Sequence, residues 1–117
     1  MSCPEFIARS FAVRTAAHLL HLRSNSYSQH VALGDFYEAL TDKVDTYAEV
    51  YMGLEGQIKS FPSIAPTDDE PVDLLESYLD RVREEQQEDA DSQALMNILA
   101  EIEELTARTL YKLRFLK

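Results

Sequence analysis

An all-α fold, a bundle of four antiparallel helices with a long crossover between the second and third, is what this sequence predicts. Three observations predict it. Only 3 glycines and 4 prolines interrupt 117 residues rich in Leu, Ala, Glu and Arg, side chains that lose little freedom in a helix. Four stretches repeat apolar residues at three- and four-residue intervals, the helical period. Clusters of turn formers separate those stretches. The length suits one domain with a modest core and is too short for two.

The first helix spans about Pro4 to Ser24. Pro4 fits a first turn, where its missing N–H costs nothing, and Glu5 complements the helix dipole. Ile7, Phe11, Arg14, His18 and His21 form one stripe, with Phe6, Val13, Ala17 and Leu20 beside it. Ser24, Asn25 and Ser26 break the pattern. The second helix starts near Ser26 or Ser28, either of which can cap it, and stops at Gly53. Leu33, Phe36, Tyr37, Leu40, Val44, Tyr47 and Tyr51 fall on one side of it. Gly34, Glu38, Asp42, Asp45 and Glu49 fall opposite, with His30 at the edge. Residues 54–70 keep no period and hold two prolines, so they form the crossover, with a short turn expected around Ile58 to Phe61.

A third helix follows from Pro71 to Glu88 on the stripe Val72, Leu75, Tyr78, Leu79 and Val82, capped from Thr67, Asp68 or Asp69. The charged run from Arg81 to Asp91 is expected on the solvated surface, with a turn near Asp89 to Asp91. The fourth helix runs from Ser92 nearly to the end. Its stripe is Leu95, Ile98, Leu99, Ile102, Leu105, Thr109, Leu113 and Leu116, and basic residues in its last turns match the helix dipole.

The balance of 11 basic against 21 acidic residues, a formal charge of −10, opposes nucleic-acid binding, which needs a clustered basic surface. An acidic surface favours small cations instead. The single cysteine, Cys3, excludes an internal disulfide and fits a reducing compartment. No apolar run approaches the ~20 residues of a membrane span, and no basic-then-apolar leader opens the chain. The expectation is a cytoplasmic protein without a membrane partner.

All three histidines and a row of carboxylates lie between His18 and Gly53. His18 and His30 stand twelve residues apart, and fifteen residues after His30 comes Asp45-Thr-Tyr-Ala-Glu49. With Leu33, Phe36 and Leu40 between them and the phrase D-x-x-D-T-x-A-E at 42–49, this gapless stretch resembles the Dps mini-ferritins. The resemblance implies a ferritin-like bundle and a protein that binds, oxidises and sequesters ferrous iron. His18, His30, Asp45 and Glu49 match that family's iron ligands. The histidines come from one subunit and the carboxylates from its two-fold partner, so the implied partner is a second copy, in a homodimer or a larger shell. The implied cofactor is iron, as a di-iron or mononuclear site, with zinc or manganese as substitutes. Imidazole and carboxylate suit such metals, and the i, i+4 spacing puts Asp45 and Glu49 on one face.

The sequence departs from the pattern at Gly34, where the family carries a further carboxylate. Asp35 and Glu38 are the nearest substitutes. The tryptophan that follows the first histidine in the family is Leu19 here, the second half is short, and there is no lysine-rich tail for DNA. The resemblance therefore leaves a second reading: a non-catalytic ferritin-like structural or interaction protein, of the kind short phage reading frames encode, that has lost full metal-site function. A di-iron site inside one bundle needs Glu-x-x-His pairs on later helices, and no histidine follows His30. The tyrosines are expected as packing, His21 as a satisfied helix histidine, and Cys3 as an incidental residue near a fraying end.

Overall fold

A computed structural model describes residues 2–117, and it is an all-α bundle of four helices: α1 (Cys3–Arg23), α2 (Tyr27–Glu55), α3 (Pro71–Glu88) and α4 (Gln93–Phe115). Local chemistry sets most of the boundaries. Ser2, Ser26 and Ser92 each accept a hydrogen bond from a backbone N–H three residues on, capping α1, α2 and α4. The cap of α3 is Glu70, without a side-chain bond, so Thr67, Asp68 and Asp69 do not cap it; Pro71 sets its first turn instead. Gly53 does not end α2. The helix runs two residues further and stops where Gly56 takes φ of 103°, a conformation that an L side chain resists.

Each helix packs against two others, in the ring order α1, α2, α4, α3. The side-chain contacts show neighbours running antiparallel. Lys43 reaches Glu101 across α2 and α4, Phe6 meets Tyr47 across α1 and α2, and Ser10 meets Tyr78 across α1 and α3. Helices α2 and α3 are therefore diagonal and run in the same direction. Residues 56–70 must return along the 43 Å long axis of the bundle, passing over α1 on the way. Phe61 and Ile64 line one groove with Phe11 and Ala12, and Asp68 meets Arg23 at 3.3 Å. The expected turn at Ile58 to Phe61 does not form; the segment carries no turn or bend there.

The interior is apolar along the expected stripes. Phe6, Leu33, Phe36, Leu40, Val44, Leu75, Val82, Leu99 and Ile102 are fully buried, each contributing about 1.5–3 kcal/mol. Two expectations fail at the end of the bundle where α1 begins. Cys3 is buried, not frayed, and Arg81 and Glu85 are buried inside the charged run assigned to solvent. On α4, Leu116 lies beyond the helix and is exposed, while Thr106 and Leu110 are buried in its place.

Candidate functional site

Two clusters carry chemistry, one in the α1–α2 hairpin and one inside the bundle. In the hairpin, the three-residue connection after Arg23 brings His21 and His30 face to face. Their rings stack with centroids 3.7 Å apart and planes 16° apart. Each ring closes the hairpin reciprocally: His21 Nδ1 donates to the His30 carbonyl at 2.5 Å, and His30 Nδ1 donates to the His21 carbonyl at 2.8 Å. A carbonyl only accepts, so both protons reside on Nδ1 and both Nε2 atoms carry the free lone pair in the neutral rings. His18 lies one turn back on α1, exposed, and stacks on Tyr37 of α2 at 4.1 Å and 14°.

This arrangement accounts for Gly34. A Cβ at that position would stand 2.9 Å from His21 Cε1 and 3.1 Å from His21 Nδ1, so the imidazole occupies the space where a side chain would begin. The ring is the end of a side chain, but stacking and a hydrogen bond hold it. Gly34→Ala is expected to lose up to about 2 kcal/mol through the displaced bond, even though Ala is worth about 1 kcal/mol more than Gly in a helix. In a His21→Ala background the same substitution should stabilise. Denaturant melts of the four proteins check this reversal of sign, and stabilisation in both backgrounds would contradict it.

The other sequence-predicted residues do not gather in one chain. Asp35, Glu38, Asp45 and Glu49 are all exposed along the outer side of α2. At about 1.5 Å per residue, Asp45 and Glu49 lie some 22 and 28 Å along the helix from His30. Among the described residues, no three His, Cys, Asp or Glu side chains stand close enough to hold one metal ion.

The interior cluster escaped the sequence reading. Glu85 Oε1 accepts from Arg81 at 2.8 Å, with both side chains at most 5% exposed. The Tyr47 hydroxyl lies 2.9 Å from Glu85 Oε2 and within a short hydrogen bond of Asp89. One phenolic proton serves one acceptor, so a second proton must sit in this chain, and Glu85 is its natural holder. Burial pushes the Glu85 carboxyl up to about 7 against the pull of Arg81 and Tyr47. Burial also raises Tyr47, and it pushes the Cys3 thiol up to about 12, leaving Cys3 inert as a nucleophile. Phe6 backs the cluster, its ring 5.2 Å from the Arg81 guanidinium and edge-on to Tyr47. Alongside, Tyr78 donates to Ser10 Oγ at 2.7 Å, and Ser10 donates to the Phe6 carbonyl at 2.8 Å. The signal that could have found this cluster was the i, i+4 pair Arg81 and Glu85 continuing the apolar stripe of Tyr78 and Val82.

These features define an acidic four-helix bundle with a histidine-clasped first hairpin and a buried ionic network. Across residues 21–113 the chain matches a family of unknown function, DUF5856, and it belongs to that family. It is 30% identical over 78 residues to the uncharacterized 14.6 kDa protein in the mobD–ri intergenic region of Enterobacteria phage T4; the match covers 67% of this chain and 59% of that protein. The chain thus spans less than two thirds of that relative's length. No solved structure matches. No helix among the described residues is long and apolar enough to cross a membrane.

Proposed function

We propose that this protein is a ferritin-like bundle of the Dps type that binds ferrous iron and oxidises it at sites shared between two copies. His18 and His30 of one copy would hold the metal with Asp45 and Glu49 of the other. Asp35 and Glu38 supply an extra carboxylate from the same exposed side of α2.

The observation that carries this reading is the hydrogen bond from His30 Nδ1 to the His21 carbonyl. It fixes the tautomer that leaves Nε2 free to ligate, the orientation role that outer partners play in metal sites. The antiparallel ring with its crossover between α2 and α3 suits a ferritin-like bundle. The wide separation of His30 from Asp45 and Glu49 suits a site that needs a two-fold partner: pairing α2 head to tail with its copy would set position 30 opposite positions 45 and 49. Imidazole nitrogen and carboxylate oxygen together accept ferrous iron readily. Iron is the substrate here. Two ferrous ions supply two electrons to one peroxide, which takes up two protons and leaves as two waters.

A second reading has its own observation. The His21 ring fills the space at Gly34, so a carboxylate of the family's pattern has no room there. That favours a non-catalytic interaction bundle that kept the pairing face, and the likeness to a phage protein agrees with a viral origin. Ferrous iron and peroxide added to the protein and to the His30→Ala/Glu49→Ala variant separate the two. The iron reading expects ferric absorbance to grow at least about ten-fold faster with the unmodified protein, a loss of roughly 1.4 kcal/mol of transition-state stabilisation or more. Equal rates, with a dimer by sedimentation and no retained iron, zinc or manganese, would leave the interaction reading.

A further inference from the structure

The crossover and α1 enclose an open groove of about 400 Å³, floored by Phe11, Ala12 and Thr15 and walled by Phe61 and Ile64. Phe61 is half exposed at its rim. Arg14 stands in the same groove, its guanidinium 5.4 Å from the centre of the Phe11 ring. Its Nε is buried and has no hydrogen-bond partner; among the described residues the side chain makes one hydrogen bond, a long 3.4 Å bond from Nη2 to Thr15. In a chain with 21 acidic residues, no carboxylate among the described residues pairs with this guanidinium. An unsatisfied buried donor is costly, and a carboxylate answers it best, through a charge-assisted bond.

The other wall also has main-chain groups left open. Residues 57–69 run without turn or bend, and among the described residues their backbone groups make no hydrogen bond to the rest of the chain. Such a strand offers main-chain donors and acceptors to a second extended chain, while side-chain pockets select its sequence.

We propose that this groove binds an extended peptide segment of a partner protein. The segment places a large aliphatic or aromatic side chain between Phe11 and Phe61 and an Asp or Glu carboxylate on Arg14. The open backbone of the crossover favours a peptide over a fatty acid, which would satisfy Arg14 but leave the main chain unpaired. The inference is independent of iron binding, since none of the residues named for the metal lines the groove.

The test uses the whole protein, ¹⁵N-labelled, titrated with the peptide acetyl-Leu-Asp-Leu-Phe-amide, with the same peptide carrying Asn for Asp, and with decanoate. The expected result is saturable shifts at the amides of 11–15 and 57–66 with the Asp peptide. Affinity should fall about ten-fold for the Asn peptide, and by a similar factor for the Asp peptide on Arg14→Gln. Equal affinity for the Asp and Asn peptides would overturn the proposal. So would decanoate reproducing the shifts while the peptide gives none, or the same shifts appearing on raising the protein concentration alone, which would assign the groove to a second copy.

Discussion

Arg81→Met is expected to lower the unfolding free energy by about 3–5 kcal/mol, the largest effect of any single substitution outside the apolar core. The reason is what it leaves behind. The Glu85 side chain, 1% exposed, pairs with Arg81 at 2.8 Å, and at pH 8, above the value of about 7 to which burial raises it, removing the guanidinium strands a carboxylate in the interior. A hydrophobic replacement of both partners avoids that penalty, so Arg81→Met/Glu85→Leu should recover most of the loss, because both charges leave together. Urea melts of the two variants decide the matter. A double variant as unstable as the single one would show that packing around Phe6, not charge compensation, is what Arg81 supplies.

Stability should fall as pH rises between about 4.5 and 7, and Glu85 is the cause. Its carboxyl is held up to about 7 in the folded chain, chiefly by burial, against an ordinary value of 4.5. Between those limits the native state holds the proton and the unfolded chain has released it, so each rise in pH favours unfolding. Between those values the slope for one such group is up to about 1.4 kcal/mol per pH unit; the stability it contributes is present in full below 4.5 and is lost as pH rises through about 7. Glu85→Gln cannot titrate, so the difference between its unfolding free energy and that of the unmodified protein should change across this window and stay flat above it. A constant offset from pH 4 to 8 would remove Glu85 from the account. The proton concerned is the one that lets Tyr47 bond both Glu85 and Asp89.

Iron oxidation by the His30→Ala/Glu49→Ala pair, the sign reversal at Gly34 and the Arg14 peptide test address other parts of the molecule. Together they separate the histidine hairpin, the interior network and the crossover groove, which share no side chain.

The four helices were legible because each carries its own apolar period, and three of them open on a local signal. Ser26 before α2, Pro71 opening α3 and Ser92 before α4 act within one turn of the chain, and such local signals need no partner. The failures sit where a neighbouring helix overrides local character. A run such as Arg81 to Asp91 reads as solvated because charge is ordinarily exposed, yet Arg81 and Glu85 follow the Tyr78 stripe inward and meet Tyr47 from α2.

Of the candidate site, the sequence by itself determined the residue types and their spacing: His18, His30, Asp45 and Glu49 on the first two helices, Gly34 out of pattern. Only the tertiary structure decided what Gly34 is for. The ring of His21 comes from α1, and its approach to α2 depends on how two helices cross, which no spacing along one helix encodes. Only the tertiary structure, too, set the crossover against α1. Placing α2 and α3 on a diagonal forces the connecting residues over a third helix, and with them Phe61 and Ile64 into one groove with Arg14, whose Nε has no hydrogen-bond partner.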